Sequence, residues 1–252
     1  MNNKQRFQLF RSALPLIAFF LFLATPARAA DITTGLVGWW KLDGNGKDSS
    51  GRGNDGTVTG ATATADRFGR ASTAMNFDLS SYVTINATLG NFGTSDFSVT
   101  GWYNTTTLTR GYMFSKREIC GIGSFWNIKF DPPNLGAEVY DYSSGAHWIA
   151  LWDTQPSSDG IWHLFVLTRS GSNIVLYRDN NAVDSTSTAY LFDLANTADL
   201  YVGKNPCDMY NGLVDDVRIY NRALTAADVT QLYNNGGPTV VRNGHVGSGV
   251  IK

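Results

Sequence analysis

Short runs in which apolar and polar residues alternate recur from residue 35 to residue 233, separated by Gly, Asn, Asp and Ser. In one of them, Phe97, Val99 and Tyr103 share one parity while Ser98 and Thr100 share the other. A period of two is typical of a strand with one buried face. The predicted strands cover residues 37–42, 74–78, 82–85, 97–103, 113–116, 126–130, 137–142, 148–152, 162–169, 174–178, 200–202 and 213–220.

No 12-residue window before Leu224 carries a helical period. The spacing of the strands therefore predicts a two-sheet antiparallel sandwich, not alternating β and α. Residues 57–73 are rich in Thr, Ala and Gly, and we interpret them as a long surface connection.

The first 29 residues are predicted to be a secretory signal and not part of the fold. Lys4, Arg6 and Arg11 precede an apolar run at residues 14–23, and a small-x-small site follows at residues 27–29. The apolar run is short of the roughly 20 residues that a membrane span needs. We expect cleavage after residue 29, no remaining membrane span, and a secreted, periplasmic or cell-surface protein of bacterial type. An uncleaved anchor is the alternative.

The remaining chain is predicted to form one domain over residues 30–235, followed by a Gly-rich tail over residues 236–252. We expect the tail to be poorly ordered or to add at most one edge strand. Without the four basic residues of the signal, 16 Lys and Arg stand against 21 Asp and Glu, a net charge of −5. A mildly acidic chain without basic clusters argues against a nucleic-acid partner.

The segment 211–224 resembles a family signature. It predicts a strand with adjacent carboxylates, Asp215 and Asp216, before a short helix with Thr225 as N-cap and Asp228 as capping-box acid. With the segments at residues 36–45, 48–57, 160–169 and 173–180, it resembles the laminin-G-like jelly-roll domain of the concanavalin A-like lectin/glucanase superfamily. Over residues 35–235 the resemblance implies an all-β, two-sheet antiparallel jelly roll with a short C-terminal helical turn. The fold hosts enzymes, lectins and adhesion modules alike.

The period of two assigns the residues of the last strand to two faces. It groups Leu213, Asp215, Val217 and Ile219 on one face and Val214, Asp216, Arg218 and Tyr220 on the other. A carboxylate on a mostly apolar face is costly unless something neutralises it. The strand therefore suggests a bound cation.

The loop at residues 48–56 offers many oxygen atoms, which Ca²⁺ prefers as ligands. The resemblance implies that the first and last strands are neighbours and that a structural calcium ion lies between this loop and the last strand. Its predicted ligands are Asp48, Asn54, Gly56, Asp215 and Asp216. The alternative is that Asp48 and Asn54 form Asx-turns and that Asp215 makes a buried hydrogen bond.

Cys120 and Cys207 are the only cysteines of the chain. A single pair in an exported protein suggests one disulfide. In the resembling fold the strands beside these cysteines lie near each other. Two unpaired thiols are the alternative.

The predicted strands at residues 126–130, 137–142 and 148–152 each place aromatic residues on one face, at alternate positions. The predicted ligand-binding residues are Trp126, Tyr140, Tyr142, His147, Trp148 and Trp152. Trp and Tyr faces stack on sugar rings, while nearby polar atoms fix hydroxyl groups. The alternative is that these aromatic residues fill the core of the sandwich.

Catalytic patterns are weak. Glu118 and Glu138, the only glutamates, do not form the paired motif of the related glucanases, and neither a Gly-x-Ser-x-Gly elbow nor zinc spacing occurs. We interpret His163 as a structural residue. The sequence thus predicts an exported carbohydrate-binding or adhesion module, not an enzyme, with a glycan or a cell-surface or extracellular protein as partner. A protein-interaction or structural surface protein is the first alternative, and a polysaccharide-active hydrolase or lyase is the second.

Overall fold

Two antiparallel sheets pack face to face in a computed structural model that describes residues 31–121, 123–143, 145–234, 239–242 and 245–248. Sheet 1 has the order β13 (Asn181–Ser187), β12 (Asn173–Arg178), β11 (His163–Ser170), β6 (Phe97–Asn104), β15 (Gly212–Tyr220), β4 (Ala74–Phe77), β3 (Thr62–Thr64), with β1 (Leu36–Trp40) also paired to β15. Sheet 2 has the order β10 (His147–Trp152), β9 (Asn134–Asp141), β8 (Phe125–Asp131), β7 (Gly111–Lys116), β14 (Leu200–Val202), β5 (Tyr82–Ile85), β2 (Thr57–Thr59).

This architecture confirms the predicted sandwich, and each predicted strand overlaps an observed one. Three strands of the two large sheets were not predicted. The segment interpreted as a surface connection contains β2 and β3, and β13 extends the hairpin that follows β11. These strands are Thr-, Ser- and Asn-rich and partly exposed, so alternation of apolar residues does not mark them.

The main core lies between the two sheets. As the alternation predicts, Phe97, Val99 and Tyr103 of β6 point into it. Trp40 and Trp126 are the largest of its fully buried side chains.

A second, smaller core lies on the outer face of sheet 1, under helix α1 (Ala226–Asn234). The predicted capping box is confirmed, since the Asp228 N–H donates to Thr225 Oγ1 at 3.2 Å and the Thr225 N–H donates to Asp228 Oδ2 at 2.9 Å. Val229 of the helix packs in the same cluster as Trp102 of β6. Within the described ranges, the chain has no helix with the length and apolar character needed to cross a membrane.

The predicted disulfide is confirmed. Cys120 and Cys207 are bonded, with their Cα atoms 5.2 Å apart. The bridge joins the loop after β7 to the loop between β14 and β15.

Two predictions concern the terminal segments of the chain. The predicted signal at residues 1–29 lies outside the described residues. In the predicted tail, β16 (Thr239–Arg242) and β17 (His245–Ser248) pair with each other in a separate two-stranded sheet.

A β-bulge in β15 overturns the predicted faces of that strand. The register of β15 against β6 shifts between Asp215 and Arg218, and Asp216 has a φ of 54°. A bulge adds one residue to one strand, so the alternation is interrupted there. Val214 and Val217 therefore both point into the core, while Asp215 and Asp216 both contact one arginine on the outer side. The prediction that the two carboxylates face opposite ways was wrong.

Candidate functional site

Aromatic side chains collect on the outer face of sheet 2, at the edge formed by β9 and β10. Trp148 is paired with Tyr140 and Trp152 with Gly136 across these antiparallel strands. Directly opposed residues project to the same face, and the alternate residues Ile149 and Leu151 pack on the core. We call Phe125, Tyr140, Tyr142, Trp148 and Trp152 the platform.

The platform combines ordered and exposed rings. Phe125 and Tyr140 stack with their centroids 5.3 Å apart, and Tyr142 lies 6.4 Å from Tyr140. Trp148 is 60% exposed and Tyr142 is 57% exposed. Large aromatic side chains left this open on a sheet face indicate a binding surface.

Trp152 is held flat against the sheet. A Cβ atom on Gly136 would lie 2.5 Å from the Trp152 ring, so glycine is required for the ring to pass over that position. On the adjacent strand, Lys129 Nζ lies 4.4 Å from the centroid of the same ring. A cation at this distance over an indole is attracted to its face, which further fixes the orientation of Trp152.

A polar cluster lies beside the platform on the same face. Lys129 Nζ is 2.8 Å from Glu138 Oε1, and Asn127 Nδ2 donates to Glu138 Oε2 at 3.4 Å. These three side chains are buried. Lys129 Nζ also lies 3.7 Å from Asp131 Oδ2, so one ammonium is shared between two carboxylates.

Two of the predicted ligand-binding residues are not on the platform. Trp126 is fully buried between the sheets, where its Nε1 donates to the Gly90 carbonyl at 2.8 Å. The neighbouring Phe125 takes the outward position on β8. His147 precedes Trp148 and has the opposite parity, and its ring stacks on Tyr190 at 4.0 Å. The prediction of Trp126 as a ligand-binding residue was therefore wrong, and that of His147 stays a prediction for a residue beside the platform, while Tyr140, Tyr142, Trp148 and Trp152 are brought together.

The loop that was predicted to bind calcium is organised by its own hydrogen bonds. Asp48 accepts backbone N–H groups from Trp39, Ser50 and Asn54, and the Asn54 side chain donates to the Val37 carbonyl. Burial opposes ionisation of Asp48, but the hydrogen bonds from Ser50, Asn54 and Trp39 outweigh it and lower its pKa. Asp48 thus forms the Asx-turn of the alternative, with the Ser50 N–H, whereas the Asn54 side chain bonds to β1 instead.

The predicted ligands on the last strand have a different partner. β1 and β15 are neighbours, as expected, but Arg67 Nη1 lies 2.5 Å from Asp215 Oδ2 and Arg67 Nη2 lies 3.6 Å from Asp216 Oδ2. Burial raises the pKa of Asp215, and the attraction of Arg67 opposes this shift. Among the described residues, no group of three or more His, Cys, Asp or Glu side chains is placed to hold a metal ion.

His163 is held in a structural ion-pair cluster, as the sequence suggested. Its Nδ1 lies 3.0 Å from Asp179 Oδ2 and its Nε2 lies 3.3 Å from Asp159. Burial disfavours the imidazolium, but Asp179 and Asp159 outweigh it and raise the pKa of His163. Arg178 Nε lies 3.9 Å from Asp179, and the Tyr103 ring lies 5.6 Å from the imidazole.

This raised pKa gives a pH-dependent prediction. A group with a raised folded-state pKa contributes stability that is complete below its unfolded pKa of about 6.5 and is lost as the pH rises through the folded value. We expect the melting-temperature advantage of the wild type over His163→Asn to be larger at acidic than at alkaline pH. Thermal melts of both proteins across this range measure it, and a pH-independent difference would contradict the assignment.

Two antiparallel sheets, a capped C-terminal helix and an aromatic strip on one outer face define a jelly-roll sandwich with an open sheet surface. A family model described as the concanavalin A-like lectin/glucanases superfamily, of the laminin G type, matches residues 77–230. The chain belongs to this superfamily. No curated protein matches the chain in sequence.

Several solved structures share the fold. The binding domain of Paraclostridial Mosquitocidal Protein 1 has a TM-score of 0.68 at 19% identity, over 82% of this chain and 53% of that one. Domain 4 of AbnA, a GH43 extracellular arabinanase from Geobacillus stearothermophilus solved in complex with arabinotriose, has a TM-score of 0.65 at 20% identity, over 79% of this chain and 98% of that one. The botulinum neurotoxin serotype D binding domain has a TM-score of 0.62 at 14% identity, over 81% and 51%. The chain thus spans about half the length of the two toxin domains. At sequence identities of 20% or less, the similarity to these three structures shows a shared fold and nothing more.

Proposed function

We propose that this chain is an exported carbohydrate-binding module whose ligand lies across the platform. The observation that carries the proposal is the exposure of Trp148, 60%, on a sheet face where Tyr140 and Trp152 flank it. Burying a tryptophan stabilises a fold, so a tryptophan left open on an ordered strand is explained by a ligand that covers it. A sugar ring presents the flat apolar face that suits an indole.

The platform favours an extended, uncharged oligosaccharide. Trp148 and Trp152 are four residues apart on one strand, which places them about 13 Å apart at the strand rise. That distance exceeds the width of one sugar ring, so a chain running along β10 would contact both. The neighbouring Lys129 is shared between Glu138 and Asp131, so it offers no unpaired positive charge to attract an acidic sugar.

The related structures support a binding role over an enzymatic one. Domain 4 of the arabinanase, which this chain matches over nearly all of that domain's length, was solved with arabinotriose. Two other relatives are toxin binding domains. The disulfide supports export, because disulfides persist in oxidising compartments.

A protein receptor is the second candidate ligand. Tyr190 and Leu191, 51% and 52% exposed, add apolar surface near the same edge, where Tyr190 stacks on His147 of β10. Exposed apolar patches also mark protein interfaces. A glycan array therefore decides between the two candidates, and cell-surface protein binding without glycan binding would favour the second.

The predicted calcium ion is independent of the platform. Its proposed ligands belong to the β1–β15 side of sheet 1, whereas the platform lies on the outer face of sheet 2. We propose that glycan recognition proceeds without calcium, so the array is run both with added Ca²⁺ and with chelator.

Trp148→Ala is expected to weaken binding of the array-selected oligosaccharide at least tenfold, the loss typical of an aromatic anchor. Its melting temperature should stay near the wild-type value, because the side chain is exposed. Isothermal titration and thermal melts measure the two effects. Ile161→Ala is the matched control, since Ile161 is also 60% exposed and should bind like the wild type. Unchanged affinity in Trp148→Ala, or no glycan ligand at all, would refute the proposal.

A further inference from the structure

We infer that the Arg67 guanidinium is the built-in counter-ion of Asp215 and shares Asp216 with Arg218, so that these arginines take the place that a divalent cation would fill beside β1 and β15. The pairing of β1 with β15 then needs no metal ion for its stability. This inference concerns the stability of the fold and does not depend on the glycan proposal.

The first observation is the fit of Arg67 to both carboxylates. The bulge at Asp216 turns the two side chains to the same outer face, where the two Nη atoms of Arg67 reach one carboxylate each, at 2.5 Å and 3.6 Å. The Arg67 and Asp215 side chains are only 8% and 5% exposed. Two carboxylates this close need positive charge. Arg67 supplies it to Asp215, and Arg218, whose Nη2 lies 3.0 Å from Asp216 Oδ2, shares Asp216 with Arg67.

The second observation is that Arg67 is fixed in place by its surroundings. Its guanidinium lies 4.5 Å from the Trp102 ring centroid and 4.7 Å from the Phe68 ring centroid. Trp102 is itself stacked on Tyr233 of α1 at 5.7 Å. A cation held between two aromatic rings is unlike a mobile surface arginine that could leave the carboxylates to a metal ion.

The third observation concerns the cavity at this position, of about 420 Å³, which Trp39 lines with the ion pairs. Trp39 Nε1 donates to Asp216 Oδ1 at 2.5 Å, and both Lys41 and Arg218 lie over its ring, at 4.8 Å and 4.5 Å. The indole and the carboxylates are thus already engaged by groups of the chain. The charged groups that line this cavity therefore pair with one another, and we call these ion pairs the junction.

The experiment compares thermal melts in calcium and in chelator, starting from metal-free protein. The wild type should melt at the same temperature in both. Arg67→Ala should melt on the order of 10 °C lower in chelator, because the buried Asp215 loses its counter-ion while Asp216 keeps Arg218, and added Ca²⁺ should recover part of this loss. The double variant Arg67→Ala/Asp215→Asn should not respond to Ca²⁺.

Two further variants keep the test decisive. Arg110→Ala removes an arginine from a half-exposed ion pair with Asp208 and should alter the melt little, with no calcium response. Arg67→Lys keeps a positive charge, so if Arg67→Ala does not fold, Arg67→Lys should fold and remain indifferent to calcium. A wild-type melting temperature that rises with Ca²⁺ and falls with chelator would overturn the inference, as would an Arg67→Ala variant as stable as the wild type.

Discussion

Replacing Trp126 with alanine is expected to lower the free energy of unfolding by about 3–5 kcal/mol, the cost of removing a large aromatic side chain from a packed core. Trp126 is fully buried and packs on Phe114, whose ring centroid lies 5.1 Å away, and on Phe92 at 5.5 Å. The change also leaves the Gly90 carbonyl without its indole donor. Chemical denaturation with urea, followed by circular dichroism, measures the loss.

Trp148→Ala is the matched control for that measurement, because it removes the same side chain from the outer face. Its cost should be below about 1 kcal/mol, as for most exposed positions. Similar losses in the two variants would contradict the assignment of Trp126 to the core and of Trp148 to the platform.

Removing the disulfide is expected to have the second large effect. The bridge joins Cys120 to Cys207, which are 87 positions apart in the sequence. Closing a loop of that length lowers the conformational entropy of the unfolded chain, which stabilises the folded state by about 4 kcal/mol in the loop-entropy account. The double variant Cys120→Ser/Cys207→Ser should lose stability of this order in denaturant.

The reduced wild type provides the control for the disulfide measurement. It should resemble the double variant when both are measured in reductant, while the oxidised wild type should be clearly more stable. A double variant as stable as the oxidised protein would show that the bridge contributes nothing to the fold.

Much of the fold follows from local patterns. Alternation marks the strands because one face of each is buried, and Thr225 with Asp228 marks the helix start because two backbone donors need partners there. Pairing of the two cysteines was predicted because the chain has one pair and a predicted export signal. Each of these predictions uses either a pattern within a few neighbouring residues or the number of cysteines in the chain.

The faces of the strands were harder to assign. Alternation groups Trp126 with Ile128 and Phe130, but it does not say whether that group points inward. On β8 each of the two faces contains an aromatic residue. The informative pattern was that Asn127 and Lys129 lie on the same face as Phe125. Polar residues mark the solvent side of a sheet, so Phe125 belonged to the outer face and Trp126 to the core.

The junction at Asp215 and Asp216 could not be found from local patterns. Arg67 lies 148 positions from Asp215 in sequence, within a segment that we interpreted as a surface connection. The bulge that turns both carboxylates outward has a positive φ at Asp216, a conformation that Asp tolerates but that a sequence does not announce. A period of two assumes an unbroken strand, and one added residue reverses every assignment on one side of it.

The position of β15 within sheet 1 has a consequence for how the protein folds. This strand pairs with β6 on one side and with β1 and β4 on the other, and Leu36 is registered against Tyr220. Because β15 is a central strand that is synthesised late, β6, β4 and β1 have no partner at that position of the sheet until β15 has been made. Such a topology has a high contact order, because its pairings join distant parts of the chain, and it folds slowly. Sheet 1 therefore stays incomplete until β15 has been synthesised.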